Sequence, residues 1–176
     1  LGVIAIDGTP AASYVDASGE CHPLEFSHPR MRAGRRSAGG EAGAHSAFFL
    51  HLVDFCTRPD IPGTFVFDNR FTAAECLNPL HDRKRDYACD VKLNRRIVWN
   101  GRDMAAGEMA ASIPYGTRKL VELDGNKQWY FSRSTRILGL NHKVKVAILW
   151  NDRHDASASK IFISNQLNWE VRRIVG

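Results

Sequence analysis

Apolar positions in the first 43 residues fall into short runs rather than long periodic stretches. Val3–Ile6 is one such run, and it ends at Asp7, with a glycine and a proline close behind. Short apolar runs bounded by Gly, Pro and Asp are typical of β-strands. Further strands are predicted at 12–15 and 21–26. Because turn residues separate them, these three strands are expected to pair antiparallel as hairpins.

Helical patterns alternate with strands from residue 44 onward. Residues 44–58 repeat apolar side chains every four positions, which predicts a helix. Thr64–Phe67 is a compact β-rich run that stops at Asp68. A second helix is predicted from Thr72, where Thr-Ala-Ala-Glu matches a capping box, and a strand follows at 87–92. The order β-β-β-α-β-α-β predicts a mixed sheet flanked by helices, within the α/β (α+β) class.

The second half of the chain is richer in strands. One short helix is predicted at 104–112, a single buried strand at 160–164 and a helical pattern at 169–175. Between them, turn signals such as Asn100-Gly101 separate short strands predicted at 97–99, 119–123, 128–131, 136–138 and 143–150. We therefore divide the chain into a core part at 1–96, a β-rich insertion at 97–158 and a return to the core at 159–176.

Composition and charge narrow the possible functions. Hydrophobic residues make up 44% and charged residues 24%, as in ordinary globular proteins, and no apolar run reaches the ~18 residues of a membrane span. The start lacks both a Met and the features of a signal peptide, so the chain is expected to begin within a domain. A net charge of +5 is compatible with a polyanionic partner. No G-x-S-x-G or P-loop motif is present.

The cysteines carry no metal-binding spacing. They form no Cys-x-x-Cys pair and are predicted to be small hydrophobic residues in a reduced core, in keeping with a cytoplasmic protein: Cys21, Cys56, Cys76 and Cys89.

Two aspartates stand out because each ends an apolar strand. If the strands Val3–Ile6 and Thr64–Phe67 are neighbours, Asp7 and Asp68 would come within reach of one metal ion. Carboxylate oxygens suit Mg²⁺ or Mn²⁺, and two such ions can drive phosphoryl transfer. The alternative is that each aspartate only begins a turn.

Several motifs occur in the order found in one enzyme family. Residues 65–75, an apolar strand ending in Asp68 and followed by an aromatic and a Thr-headed helix, resemble the second-aspartate motif of DDE-type insertion-sequence transposases. Residues 90–96 resemble the family's "strand, Lys, x, Asn, Arg" segment. Residues 160–165 and 169–175 resemble a later strand that ends in Ser/Thr-Asn and the helix after it. The resemblance covers residues 44–176.

The resemblance implies a ribonuclease H-like core with a β-strand insertion and an Asp, Asp, Glu triad that holds two Mg²⁺ (or Mn²⁺) ions. Asp68 matches the second acid. Asp7 fits the place of the first, although that acid could instead lie upstream of Leu1. The family's Tyr-Arg-Glu-Lys pattern, which carries the third acid, is absent, and Glu170 matches a non-catalytic position. We therefore expect a fragment of a transposase that is inactive alone.

The resemblance also implies DNA as the partner. A transposase cleaves transposon ends and joins them to target DNA, as a homodimer in a synaptic complex, in the cytoplasm at the nucleoid and without a membrane. Lys92, Asn94 and Arg95 are the predicted contacts near the scissile phosphate. A Gly-rich loop supplies predicted backbone contacts from Arg30, Arg32, Arg35 and Arg36. Two alternatives remain: a non-catalytic nucleic-acid-binding module, or an inactive remnant of a mobile element.

Overall fold

The computed structural model describes residues 3–6, 11–15, 21–25, 53–54, 56–58, 63–67 and 69–175, the first three segments through their backbone pairing. The chain divides into two compact units, an N-terminal unit at Leu1–Asp86 and a C-terminal unit at Tyr87–Gly176. In the described residues the protein is of mixed α/β class, with mostly antiparallel strand pairing and few helices. The predicted class is therefore confirmed at this level.

The described part of the N-terminal unit contains four strands and a helix, besides the helical residues 53, 54 and 56. They are β1 (Val3–Ile6), β2 (Ala11–Val15), β3 (Cys21–Glu25), β4 (Thr64–Phe67) and α1 (Ala74–Asp82). The strand order is β3-β2-β1-β4. The first three strands pair antiparallel, as predicted, whereas β4 runs parallel to β1. Of the predicted helix at 44–58, the described residues Val53, Asp54 and Cys56 are helical, and the rest lies outside the described residues.

Alternation along β4 explains how this strand packs. Phe65 and Phe67 are buried, while the intervening Val66 is only partly buried, because successive side chains of a strand point to opposite faces. The ring centroids of Phe65 and Phe67 lie 6.3 Å apart, and Phe71 continues the cluster at 6.2 Å from Phe67. Leu77 and Leu80 of α1 are fully buried as well. One apolar face of β4 and one face of α1 thus supply core residues of the unit.

The predicted capping box at Thr72 is wrong. Helix α1 begins at Ala74, and its N-cap, Ala73, offers no side-chain acceptor. The Thr72 hydroxyl instead donates to the carbonyl of Asn69 at 3.1 Å, within a short 3-10 turn. Serine and threonine hydroxyls often bond to nearby backbone in this way, and here that bond removes Thr72 from the helix terminus.

Three cysteines are buried in the core, as predicted: Cys56, Cys76 and Cys89. Burial raises the pKa of the Cys76 thiol to about 12, and it raises the pKa of the Cys56 thiol as well. The side chain of Cys21 lies outside the described residues. The thiolate is the reactive form of cysteine, so these core thiols are expected to be inert.

We accordingly expect a Cys21→Ser variant to show no fast-reacting thiol in the native state. At neutral pH both steric burial and the raised pKa keep Cys56 and Cys76 from forming an accessible thiolate. The measurement is the rate of reaction with a chromogenic disulfide, with and without denaturant. Three thiols should react rapidly only after unfolding. Rapid reaction of even one of them in the native protein would contradict the buried placement.

In its described residues, the C-terminal unit contains seven strands that pair antiparallel. The elements are β5 (Asp86–Asp90), β6 (Arg96–Trp99), β7 (Arg102–Ala105), α2 (Ala106–Ser112), β8 (Lys119–Leu123), β9 (Asn126–Ile137), β10 (Lys143–Trp150), β11 (Lys160–Ser164) and α3 (Val171–Val175). The strands pair in the order β5-β11-β10-β9-β6-β7, and β8 pairs with residues 126–130 of β9.

Two predicted boundaries in this unit are wrong, and pairing explains both. The strands predicted at 128–131 and 136–138 are one continuous strand, β9, because β10 pairs with it along its length. The helix predicted at 104–112 begins only at Ala106, because Arg102–Ala105 pair with β6 as a hairpin strand. The turn of that hairpin is Asn100-Gly101, with φ values of 48° and 77°. Asn-Gly favours such positive φ values, so the turn itself is as predicted.

Strand β10 lies at the centre of the unit, and residues 146–150 are all buried. On one face, Ala147 and Leu149 pack with Val171 and Ile174 of α3. β9 and β10 lie in the predicted insertion at 97–158, and β11 lies in the predicted return to the core at 159–176. Because β10 pairs with both β9 and β11, strand pairing continues across the predicted boundary. No helix in the described part of the chain is long and apolar enough to cross a membrane.

Candidate functional site

The strands that precede the two predicted metal ligands are neighbours. β1 and β4 pair in parallel, with Ile6 opposite Phe67. Asp7 and Asp68 are the next residues of the sequence after this pair, and both lie outside the described residues. The strand adjacency on which the metal prediction depends is therefore present, while the position of the two carboxylates stays a prediction.

The described residues contain no alternative metal site, because no group of three or more of their His, Cys, Asp or Glu side chains is arranged to hold a metal ion. The four arginines predicted to contact the DNA backbone, Arg30, Arg32, Arg35 and Arg36, lie outside the described residues. The Mg²⁺ (or Mn²⁺) site thus remains assigned to Asp7 and Asp68 by the sequence alone.

The predicted DNA contacts Lys92, Asn94 and Arg95 lie on one tight turn, the 92–95 turn, which connects β5 to β6. The Arg95 amide closes this turn by donating to the Lys92 carbonyl at 2.9 Å. Just before it, the Val91 amide donates to the Ile161 carbonyl at 2.8 Å and ties the start of the turn to β11. The side chains of Lys92 and Asn94 are exposed. The turn therefore presents these side chains to solvent from a backbone held at its base.

Helix α2 holds the turn from the other side. The amides of Ala106 and Gly107, at its first turn, donate to the carbonyls of Arg95 and Leu93, each at 2.8 Å. These bonds satisfy helix N-H groups that have no partner within the helix. A Cβ on Gly107 would lie 3.3 Å from the Cβ of Leu93 and 3.4 Å from its carbonyl oxygen. Glycine therefore allows the close approach of helix and turn.

Arg95, the last residue of this turn, and Arg96, which follows it, have different partners. Arg96 donates through Nε to Asp103 Oδ1 at 2.9 Å and through Nη2 to the Asp103 carbonyl at 3.0 Å, and its hydrogen bond to Asp103 raises its pKa. Arg95 donates through Nη2 to the Leu138 carbonyl at 3.4 Å. No carboxylate in the described ranges lies within salt-bridge distance of Lys92 or Arg95. Those two residues keep their positive charge available to a ligand.

A second basic run, Arg83 to Arg85, has a structural role instead. Arg83 Nη1 donates to Thr57 Oγ1 at 2.6 Å and lies 3.9 Å from Asp54. Arg85 Nη2 donates to the Arg58 carbonyl. These arginines connect Asp54, Thr57 and Arg58 to the end of α1. A basic run that looks like a solvent-exposed surface in the sequence thus forms hydrogen bonds and an ion pair within the fold.

Sequence reasoning missed one buried arginine. Arg118 is 3% exposed, and its Nη1 donates to the carbonyls of Arg153 and Asp155 at 2.9 and 2.7 Å. Its guanidinium lies 3.9 Å from the ring centroid of Trp150, and burial lowers its pKa. In the described part of the chain, Arg118 Nε and Trp150 Nε1 are the buried side-chain nitrogens without a hydrogen-bond partner. The burial of Arg118 could not be predicted from the sequence, because the residues next to it, Thr117 and Lys119, are polar.

The tryptophans contribute mainly to packing. Trp99 and Trp150 are buried. Trp129 and Trp169 are partly buried and lie beneath the guanidinium groups of Arg153 and Arg173, at 5.1 and 4.2 Å from the ring centroids. Each aromatic ring is thus already covered in part by this chain's own side chains.

A shallow cleft of about 340 Å³ opens near the turn between β8 and β9. Apolar side chains such as Leu149 and Phe162 share its lining with Asp124, Asn126 and Lys160. The single carboxylate and the single ammonium balance each other in charge, so this cleft has no clear preference for an anion or a cation.

No protein-family model matches the chain, and no curated protein is significantly similar to it. The functional reading therefore depends on the motifs, the strand adjacency and the 92–95 turn.

Proposed function

We propose that this chain is part of a DDE-type transposase with a ribonuclease H-like core, acting on DNA at transposon ends. The observation that carries the proposal is the parallel pairing of β1 with β4, which makes neighbours of the strands preceding Asp7 and Asp68. The order β3-β2-β1-β4, with an antiparallel meander followed by a parallel strand, supports the ribonuclease H-like assignment. The strand-rich C-terminal unit supports the β-insertion.

The chemistry of the two aspartates fits a divalent cation. Carboxylate oxygens at the ends of adjacent parallel strands are hard ligands of the kind Mg²⁺ and Mn²⁺ prefer. When bound, such ions activate the attacking oxygen and neutralise the leaving oxygen of a phosphodiester. Asp68 and Asp7 would hold them. This class of mechanism requires no protein nucleophile, because water attacks first and the released 3′-hydroxyl attacks the target.

The 92–95 turn supplies the DNA contacts in this proposal. Lys92 and Arg95 carry charge that no described carboxylate neutralises, and Asn94 offers an amide in an exposed position. Cations on a held backbone position a phosphate without ordering a loose loop first. As in the family, the active form is proposed to be a homodimer on two transposon ends.

The third acid of the triad has no match within these 176 residues. We therefore expect metal binding without efficient strand cleavage by this chain alone, because charge neutralisation and positioning supply most of the catalysis in phosphoryl transfer.

Mn²⁺ binding by the purified chain tests the proposal. Asp68→Asn and Asp7→Asn should each weaken binding by at least about tenfold, since even outer-shell partners of metal ligands are worth about 10–100-fold in affinity. Asp124→Asn is the matched control, because Asp124 is exposed in a turn with φ of 49°, a conformation that asparagine tolerates. It should bind Mn²⁺ like the unmodified chain. Calorimetry or the electron paramagnetic resonance of free Mn²⁺ provides the measurement.

The outcomes separate the alternatives. If Asp68→Asn binds Mn²⁺ normally, the metal site is wrong. If only Asp7→Asn binds normally, Asp7 is a turn residue and the first acid is elsewhere. If the chain binds no Mn²⁺ but binds DNA, the non-catalytic module is the better description.

A further inference from the structure

One exposed leucine stands at the centre of the predicted DNA contacts. Leu93 is 48% exposed, although it lies in a turn whose carbonyls at Lys92, Leu93 and Arg95 all accept backbone hydrogen bonds. Single exposed leucines are common on protein surfaces. This one is flanked by Lys92 on one side and by Asn94 and Arg95 on the other, so an apolar tip projects from a cationic surface.

The base of Leu93 is held in place. Its carbonyl accepts the amide of Gly107, and its Cβ lies within contact distance of the position where a Gly107 side chain would begin. The carbonyls of Lys92 and Arg95, on either side, are bonded as well. The backbone at Leu93 is therefore held in place, so little backbone conformational entropy is lost when the side chain enters a partner.

A second exposed leucine belongs to the adjoining turn. Leu138 is also 48% exposed, its amide donates to the Arg96 carbonyl at 3.2 Å, and its carbonyl accepts from Arg95. Arg95 thus connects the two turns. Apolar side chains next to cations that no described carboxylate neutralises fit a partner with an anionic exterior and an apolar interior. Duplex DNA, with its phosphates and stacked bases, has that character.

We propose that Leu93 is an apolar wedge that enters DNA at a base step, while Lys92 and Arg95 bind the flanking phosphates. The inference rests on the proposed function and adds the mode of contact to it. Proteins that insert leucine or similar side chains between base pairs unstack the step and kink the duplex, and they hold the flanking backbone with cations. Pyrimidine–purine steps such as TA yield most easily.

The test uses the full chain and an alternating dT-dA duplex in which a few adenines are replaced by 2-aminopurine, whose fluorescence rises when it unstacks. The unmodified chain should bind and raise the fluorescence. Leu93→Ala should lose the rise but keep the salt dependence of binding, because its cations are intact. Leu93→Met should restore the rise. Leu120→Ala is the control, since Leu120 is 51% exposed next to Lys119 but lies on strand β8.

Lys92→Gln completes the test. It should lower affinity and reduce the salt slope by about 1 while the fluorescence change at saturation persists. If the chain binds DNA without a fluorescence rise, or if Leu93→Ala behaves like the unmodified chain, the wedge is wrong and the proposed function is untouched. If the chain shows no salt-dependent DNA binding, the DNA contacts of the proposed function fail as well. Thermal melts should show Leu93→Ala folded, because the side chain is half exposed.

Discussion

Replacing Arg118 by alanine is expected to lower the free energy of unfolding by about 3 kcal/mol. The side chain is buried, and its Nη1 is the bonded donor for the carbonyls of Arg153 and Asp155. Hydrogen bonds from a charged donor are worth about 1.5–3 kcal/mol each, and the contact with Trp150 adds about 0.5–2 kcal/mol. The desolvation that lowers the pKa of Arg118 offsets part of this sum.

Arg173→Ala is the matched control for that prediction. Arg173 also stacks on a tryptophan, with its guanidinium 4.2 Å from the ring centroid of Trp169, but it is exposed. Its loss should cost under about 1 kcal/mol. Urea unfolding measures both variants, and Arg118→Met separates packing from hydrogen bonding by keeping most of the volume. A loss below about 1 kcal/mol for Arg118→Ala would show that the two carbonyls are satisfied without it.

Removing both charges of the 92–95 turn, with Lys92→Gln and Arg95→Gln, is expected to weaken DNA binding by about 10–100-fold at low salt. Each phosphate contact contributes about 0.9 to the slope of log affinity against log salt, so the slope should fall by about 2. Fluorescence anisotropy with a labelled duplex, measured across a series of salt concentrations, gives both quantities.

The control for this variant is Lys119→Gln with Lys127→Gln. Both lysines are exposed on β8 and β9, and the double variant changes the net charge by the same amount. If the two double variants lose affinity and slope equally, binding reflects net charge alone, and the 92–95 turn is not a specific contact surface. A larger loss for the turn variant supports the proposed interface.

Local sequence patterns predict most helices and strands of this chain correctly but predict their first and last residues poorly. Asn100-Gly101 correctly marks a hairpin turn, because the positive φ values are a property of those two residues themselves. The capping box at Thr72 fails, because a neighbouring carbonyl competes for the same hydroxyl. Strand β9 is longer than predicted, because its polar half is held by the ladder to β10 rather than by its own propensity.

The features of the candidate site can likewise be divided into those that the sequence predicted and those that only the structure shows. The position of Asp7 and Asp68 at the ends of apolar strands singled out both residues as metal-ligand candidates. Lys92, Asn94 and Arg95 were predicted through the resemblance to the transposase family. The sequence could not show that Arg96 is paired with Asp103 while no carboxylate in the described ranges pairs with Lys92. Nor could it show that Arg118 is buried.

By itself, the sequence determined the mixed α/β class, most of the strands, their turns and the chemical types available for a site. Only the tertiary structure decided that β1 lies beside β4, that α2 holds the 92–95 turn, and which cations stay available. The physical reason is the distance along the sequence over which each property is decided. Periodicity and turn propensity depend on residues a few positions apart, whereas strand adjacency and charge neutralisation depend on partners brought together across much of the chain.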